Sequence, residues 1–316
     1  MDTGSSLKHG ANRLPQLRRS DRGPGGWFRH QRGLAPYLYI APNVALFTAF
    51  SFLPVLFAIY ISFHDWGLIS APNFIGLGNY TRLLHDRLFW QSLGHTLTYA
   101  AGTVPTSMAI GLALAIALNR RMRGRIVLRS LYFLPIVVSA VATGTIAAWL
   151  FNDNYGVINA MLVRVGFGRV AWLSTPQWAL PSLMITTLWL RVGFCMVVYM
   201  AALQSIPTMY YEAARIDGAG AWHQFRHITL PLLRPATFLL LILSVIYSFH
   251  VFDLIYVMTG GGPGFATTML VQYVYRAAFT TSEFGYASAM GISLYAMILI
   301  FTVLQWRISR QDQNVM

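Results

Sequence analysis

A few residues with polar or ionisable side chains inside long apolar runs define the chemistry open to this chain. Arg191 is followed by Cys195 and Tyr199 at i+4 and i+8, and Tyr247, His250 and Asp253 recur at i, i+3, i+6. Such groups cost about 2.5–3.5 kcal/mol each on insertion scales and therefore mark a path or a buried contact. Their chemistry is recognition: hydroxyl groups of a solute need donors and acceptors, and aromatic faces pack against the apolar side of a ring. Counted inward from the expected helix ends, Arg191 lies about 18 Å deep, His250 about 12 Å and Asp253 about 8 Å. His250 is thus the expected neighbour of Arg191; an Arg191–Asp253 ion pair is the structural alternative. Trp189, Phe249 and Phe252 could add aromatic faces, although rings in such runs mostly face lipid or other helices.

Bond-making chemistry is not expected. No G-x-x-x-x-G-K-[ST] occurs, so the chain has no phosphate cradle with which to hydrolyse ATP itself. The stretch TGGGPGF, residues 259–265, leads to no Lys-Ser/Thr and reads as an external turn. His223 and His227 share a helix face but have no third metal ligand nearby, and no G-x-S-x-G elbow or paired-carboxylate site is present. The single cysteine, Cys195, excludes a disulfide framework and reads as a packing residue.

The elements that must hold these residues are membrane spans. Of 316 residues 56% are hydrophobic and 10% charged, where a soluble domain carries about a quarter charged. Apolar runs of spanning length fall at 38–63, 96–118, 131–151, 179–203, 235–258 and 287–306. With the N-terminus inside, the inner segments hold Lys8 and sixteen arginines, whereas the outer ones hold only Arg82, Arg87, Arg164, Arg169 and Arg276. That bias is the positive-inside pattern, with both termini cytoplasmic. The net charge of +13 is thus topological, and no folded basic domain remains for nucleic acid. Residues 1–36 read as a basic, disordered cytoplasmic tail, 37–306 as the membrane domain and 307–316 as a cytoplasmic C-terminus.

The fourth and fifth runs are joined by a polar segment, 207–232. Pro207-Thr208 suits a helix start, and Met209, Ala213 and Ile216 form one apolar stripe. Asp217-Gly218-Ala219-Gly220 supplies a turn. A second short helix carries Trp222, Phe225 and Ile228 on one face and is expected to stop before Leu230-Pro231. Two such helices could lie on the membrane surface, or they could form a knob that a soluble partner holds in a groove, with Glu212 and Arg215 at its rim.

The triplet Glu212-Ala213-Ala214, Gly218 four residues on, and Ile228-x-Leu230-Pro231 resemble the EAA loop of binding-protein-dependent ABC importer permeases. PYLYIAPN, LPVLFAIYISFHDW, FIGLGNYTRLL, SLYFLPIVV, TGGGPGFATTMLVQYVYRAAF and GYASAMG extend the likeness to the carbohydrate-uptake branch, especially its six-span sugar and glycerol-phosphate permeases. The chain departs from the maltose importer's large permease, which has two extra N-terminal helices and a large external domain; here 152–178 is a short loop.

The resemblance implies an all-α polytopic membrane protein, six transmembrane helices of the type I ABC importer permease fold with a cytoplasmic coupling loop. Glu212, Ala213, Ala214, Arg215, Asp217, Gly218 and Phe225 would dock on the ATPase subunits, and Arg191, Tyr247, His250 and Asp253 would line the substrate path. The implied partners are a second, homologous permease subunit, two ATP-binding subunits that hold ATP and Mg, an extracytoplasmic solute-binding protein and the bilayer. The chain itself would be a non-catalytic permease without a cofactor, multi-pass in the cytoplasmic membrane. The expected cargo is a sugar, a di- or oligosaccharide, moved by alternating access. Alternatives are a glycerol-3-phosphate or glycerophosphodiester importer, a stand-alone secondary transporter, and a scaffold whose loop merely anchors a soluble partner.

Overall fold

The structure, a computed structural model, describes residues 27–313 apart from 68, 70 and 121, and the side chains of 37–307 within that range. The described residues form two compact units, divided after Leu56. In the first, helix α1 (Trp27–Phe47) passes into a π-helical turn, Thr48–Phe52, and then into the start of α2 (Leu53–Ser62). The expected disordered tail is corrected in its last ten residues, whose backbone is helical. The helix demanded by the apolar run extends back through Gln31, Arg32 and Leu34, which favour helix. Residues 1–26 of that tail lie outside the described residues.

In the second unit, α2 ends in a two-stranded antiparallel hairpin, β1 (His64–Asp65) and β2 (Asn73–Phe74), with His64 opposite Phe74. The chain continues through α3 (Gly78–His85), α4 (Arg87–Asn119), α5 (Arg125–Val137), α6 (Ala140–Leu150), α7 (Val157–Arg164) and α8 (Pro176–Gln204). The polar segment contains α9 (Thr208–Ile216), α10 (Ala221–Gln224), a π-helical turn Phe225–Thr229 and α11 (Leu230–Leu232). The final elements are α12 (Arg234–His250), α13 (Asp253–Met258), α14 (Leu270–Phe279) and α15 (Phe284–Gln313).

Four helical segments are long and apolar enough to cross a membrane: Tyr37–Ser62, Arg87–Asn119, Pro176–Gln204 and Phe284–Arg307. Two bent pairs would bring the number up to six if each is one span, Arg125–Val137 with Ala140–Leu150 at 100°, and Ala221–Leu232 with Arg234–His250 at 62°. The third expected span is therefore not one straight helix. Pro135 removes a backbone donor in its last turn, and Val138 and Ser139 are extended with ψ near 136° and 138°. The fifth is interrupted as well, at Val251 and Phe252, which separate α12 from α13.

The long helices α4 and α8 pack most extensively, and α5 lies against α8. Glycine makes both approaches possible. A Cβ on Gly111 would sit 2.5 Å from the Cβ of Cys195, and one on Gly193 would sit 1.9 Å from the Tyr132 carbonyl oxygen. The core divides along α4 and α8. Leu118, Leu203, Ile206 and Leu233 cluster at one end, while Tyr99, Leu183, Leu254 and Met258 cluster toward the other. Thr96 Oγ1 accepts from the Leu270 N–H at 3.1 Å, so the start of α14 adjoins the first third of α4. Thr96 and Leu118 are about 33 Å apart along the helix, close to the thickness of a bilayer's hydrocarbon core. The segment 207–232 and the loop 259–269 thus occupy opposite ends of the bundle.

Candidate functional site

The knob at 207–232 is built from backbone geometry. Helix α9 ends in a Schellman motif: the Ala219 N–H donates to Ala214 O at 2.8 Å and the Gly218 N–H to Arg215 O at 3.1 Å. That closure requires a left-handed residue, and Gly218 has φ +79°. No atom lies within 4 Å of where its Cβ would be, so the demand for glycine is conformational rather than spatial. Gln224 Nε2 donates to Ala219 O at 2.8 Å and fixes the turn against the second helix. The two helices are pinned by Tyr211 Oη and Thr229 Oγ1, 2.9 Å apart.

The second helix differs from its expected form. It does not stop before Leu230-Pro231 but runs from Ala221 to Leu232. The Leu230 N–H reaches back five residues to Phe225 O, and this π turn accommodates the proline, which has no N–H to place. The knob is anchored below: Tyr211 packs against the cluster of Leu203, Ile206 and Leu233. Its upper surface is bare. Met209 is 65% exposed, Ile216 87% and Trp222 72%, with Phe225 half-buried beside the Trp222 ring at 5.5 Å. Glu212, Ala213, Arg215, Asp217 and Gly218 are exposed as well, and Ala214 is half-buried. His223 and His227 stack at 4.0 Å; among the described residues no group of three His, Cys, Asp or Glu could hold a metal ion.

The four in-membrane candidates are only partly brought together. The Arg191 guanidinium lies over the Tyr247 ring at 4.4 Å and over Phe194 at 4.7 Å. Tyr99, whose hydroxyl meets Thr187 Oγ1 at 2.6 Å, is within electrostatic reach of both Arg191 and Tyr247. The helical depth count pointed to His250 as the neighbour of Arg191, and the observed neighbour is Tyr247, one turn deeper. His250 is exposed, with Nδ1 2.9 Å from Ile246 O, and Asp253 is exposed at the first residue of α13. Arg191 and Asp253 form no ion pair; among the described residues the ion pair present is Arg82–Glu283. Cys195 is fully buried against α4, in keeping with a packing role. Phe249 is also buried, against Phe301, and Phe252 stacks on Tyr256 and Tyr275, whereas Trp189 is 55% exposed.

Sequence reasoning missed a polar centre at the opposite end of the bundle. Asp86 caps α4, with Oδ1 accepting from the N–H groups of Leu88 at 2.8 Å and Phe89 at 3.3 Å. Its Oδ2 accepts from the hydroxyls of Tyr273 and Tyr286, each at 2.5 Å. Burial raises the carboxyl, but the two tyrosine hydroxyls and two backbone N–H groups outweigh it and hold it below the usual carboxylate value. Arg82 forms two hydrogen bonds to Glu283, at 2.9 and 3.0 Å, and lies 4.0 Å over the Tyr286 ring. The Glu283 hydrogen bonds raise the Arg82 guanidinium against the opposing effect of burial. Asp ahead of an apolar helix is a cap signal, but the apolar run begins nine residues later than the helix does.

Compared with known proteins, residues 107–311 match the family of the binding-protein-dependent transport system inner membrane component. The chain is 37% identical to the trehalose/maltose transport system permease of Thermococcus litoralis, over 87% of this chain and 93% of that protein. It is 36% identical to the sulfoquinovosyl glycerol transport system permease of Agrobacterium fabrum, over 88% and 91%. Among solved structures it is similar to a chain of a bacterial alginate ABC transporter in complex with an alginate pentasaccharide-bound periplasmic protein. There the TM-score is 0.80 at 25% identity, covering 91% of this chain and 98% of that one. A family match over most of the chain, on a helical bundle with four to six candidate spans, leads to one conclusion: the chain belongs to the inner membrane components of binding-protein-dependent transport systems, the permease subunits of ABC importers.

Proposed function

We propose that this chain is the membrane-spanning subunit of an ATP-driven importer that moves a di- or oligosaccharide by alternating access. The observation that carries the reading is the knob at 207–232, pinned to the bundle below and apolar above. An exposed Ile216, Met209 and Trp222 on a rigid, tightly turned support suit a groove on a soluble partner, and a flat surface helix would bury such residues in lipid. Glu212, Ala213, Ala214, Arg215, Asp217, Gly218 and Phe225 form the docking face. The partner is a pair of ATP-binding subunits that bind ATP and Mg; a second permease and an extracytoplasmic solute-binding protein complete the assembly. Closure of the ATPase dimer would carry the knob inward and open the bundle outward, in the cytoplasmic membrane with both termini inside.

Sugar as cargo is supported by relatives named for trehalose and maltose and for sulfoquinovosyl glycerol, and by the alginate transporter. Arg191, Tyr247, His250 and Asp253 form the path, with the Tyr247 ring and the guanidinium on it as the contact for a sugar face and its hydroxyls. One observation favours a second reading. Arg191 faces rings rather than a carboxylate, so its charge stays uncompensated and would suit an acidic sugar or a glycerol phosphate. The test is uptake by proteoliposomes holding the whole assembly, with maltose, trehalose, sulfoquinovosyl glycerol, alginate pentasaccharide and glycerol-3-phosphate offered with the binding protein. ATP-dependent uptake of a saccharide is expected; uptake of glycerol-3-phosphate alone, or transport by this chain without ATP, overturns it.

A further inference from the structure

The glycine-rich loop after α13 does more than turn the chain. Together with α13 and α14 it lines a half-open cavity of about 510 Å³, inside the roughly 300–1,000 Å³ range of small-molecule sites. Three rings line it and remain partly open, Tyr256 at 51%, Tyr275 at 37% and Phe265 at 38% exposure. Phe265 is held at φ +81°, a backbone state that side-chain-bearing residues rarely adopt. Its ring carries the Arg276 guanidinium at 4.8 Å. The loop itself is firm: Thr267 Oγ1 donates to Gly262 O at 2.7 Å, Thr268 Oγ1 donates to Gly261 O at 3.1 Å, and the Thr259 and Thr267 hydroxyls meet at 2.8 Å.

One group in this cavity lacks a partner. Gln272 is 6% exposed and lines the cavity, and its Oε1 has no hydrogen-bond donor among the described residues. A buried amide left in this state is costly unless something donates to it. Gly261 lets the loop backbone pack directly on the amide at the cavity wall, for a Cβ there would lie 3.1 Å from both Gln272 side-chain polar atoms and 2.7 Å from Thr268 Oγ1. The complement to an orphan acceptor beside open aromatic faces and a guanidinium is a ring with hydroxyl donors and an apolar face. A bare phosphate or carboxylate offers no hydrogen to Gln272.

We infer that the cavity is an outer saccharide subsite, at the end of the bundle away from 207–232, which holds one or two sugar rings before they reach Arg191 and Tyr247. Gln272 accepts from a ring hydroxyl, Tyr256 and Tyr275 pack against a sugar face, and Arg276 donates to ring or hydroxyl oxygens. The inference rests on the sugar-importer reading above and adds a stop on the route.

The test uses the full assembly in proteoliposomes and whichever saccharide of the uptake screen the wild type transports. Gln272→Leu is expected to raise the half-saturating concentration of binding-protein-delivered saccharide at least five-fold, with the amount of assembled complex unchanged. A purely structural amide gives the opposite pattern, because leucine removes an unpaired buried group: unchanged half-saturation and a higher melting temperature. A second measurement holds even if that variant fails to assemble. Thr280→Cys, in the cavity lining, is labelled with a membrane-impermeant maleimide added on the binding-protein side, against a fully buried Cys195 that gives little background. Saccharide with binding protein should slow labelling at least three-fold. An unchanged rate with a saccharide that is transported overturns the subsite alone; no saccharide transported at all overturns the importer reading, and the subsite with it.

Discussion

Arg191 stands inside a candidate span with two aromatic rings as its company and, among the described residues, no carboxylate paired with it. A half-buried guanidinium over a ring gains about 1 kcal/mol, which helps offset partial burial without neutralising the charge. Alanine at Arg191, Tyr247 or His250 is expected to leave assembly intact and change uptake, with Arg191→Ala lowering it about ten-fold; loss of the assembled subunit in all three would mean packing rather than passage. Asp86 makes a different prediction. Its carboxylate accepts two hydroxyl and two backbone hydrogen bonds, so Asp86→Ala should cost about 2–3 kcal/mol, read as a lower melting temperature of the purified complex. Because the folded carboxyl is held below its ordinary value, this contribution is fully present above about pH 4 and is lost as pH falls through the lowered folded value. The melting temperatures of wild type and Asp86→Asn should therefore converge in acid and diverge at neutral pH.

The elements divide into those that announce themselves and those that do not. Helix α9, its turn and its apolar stripe were legible because Gly218 and the 3.6-residue spacing are local signals. The break at Val251–Phe252 was not, for no glycine or proline marks it. Beside it Ser248 Oγ donates to Ser244 O at 2.9 Å, a local bond that tends to bend helices. The centre at Asp86 was hidden because its tyrosine partners lie nearly two hundred residues away, and the partnerless amide of Gln272 is visible only once the loop has closed over it. Two substitutions test the elements. Gly218→Val forces a β-branched residue into φ +79°, a cost of about 1–2 kcal/mol, and should uncouple ATP hydrolysis from uptake with the subunit still in the membrane; normal transport would count against the lever. Gly193→Ala places a methyl group against the α5 backbone, so a melting temperature lowered by at least about 5 °C, or no recoverable complex, is expected.

At the scale of the whole molecule, apolar run length was enough to foresee a helical bundle with four to six candidate spans, because lipid requires each crossing to satisfy its own backbone. It could not foresee that two crossings are bent, since bending depends on neighbours such as α13, which packs into the gap left by Gly144 on α6. The two proposed sites lie at opposite ends of the bundle: saccharide would enter beside the glycine loop, and energy would enter through the knob at 207–232, about 33 Å away along α4. The most direct measurement is ATP hydrolysis by the reconstituted assembly, with and without binding protein and saccharide. The account predicts at least a several-fold stimulation that requires both, is accompanied by uptake, and loses its link to uptake in Gly218→Val. Hydrolysis indifferent to saccharide, or uptake by this chain with no ATPase subunit present, would contradict it.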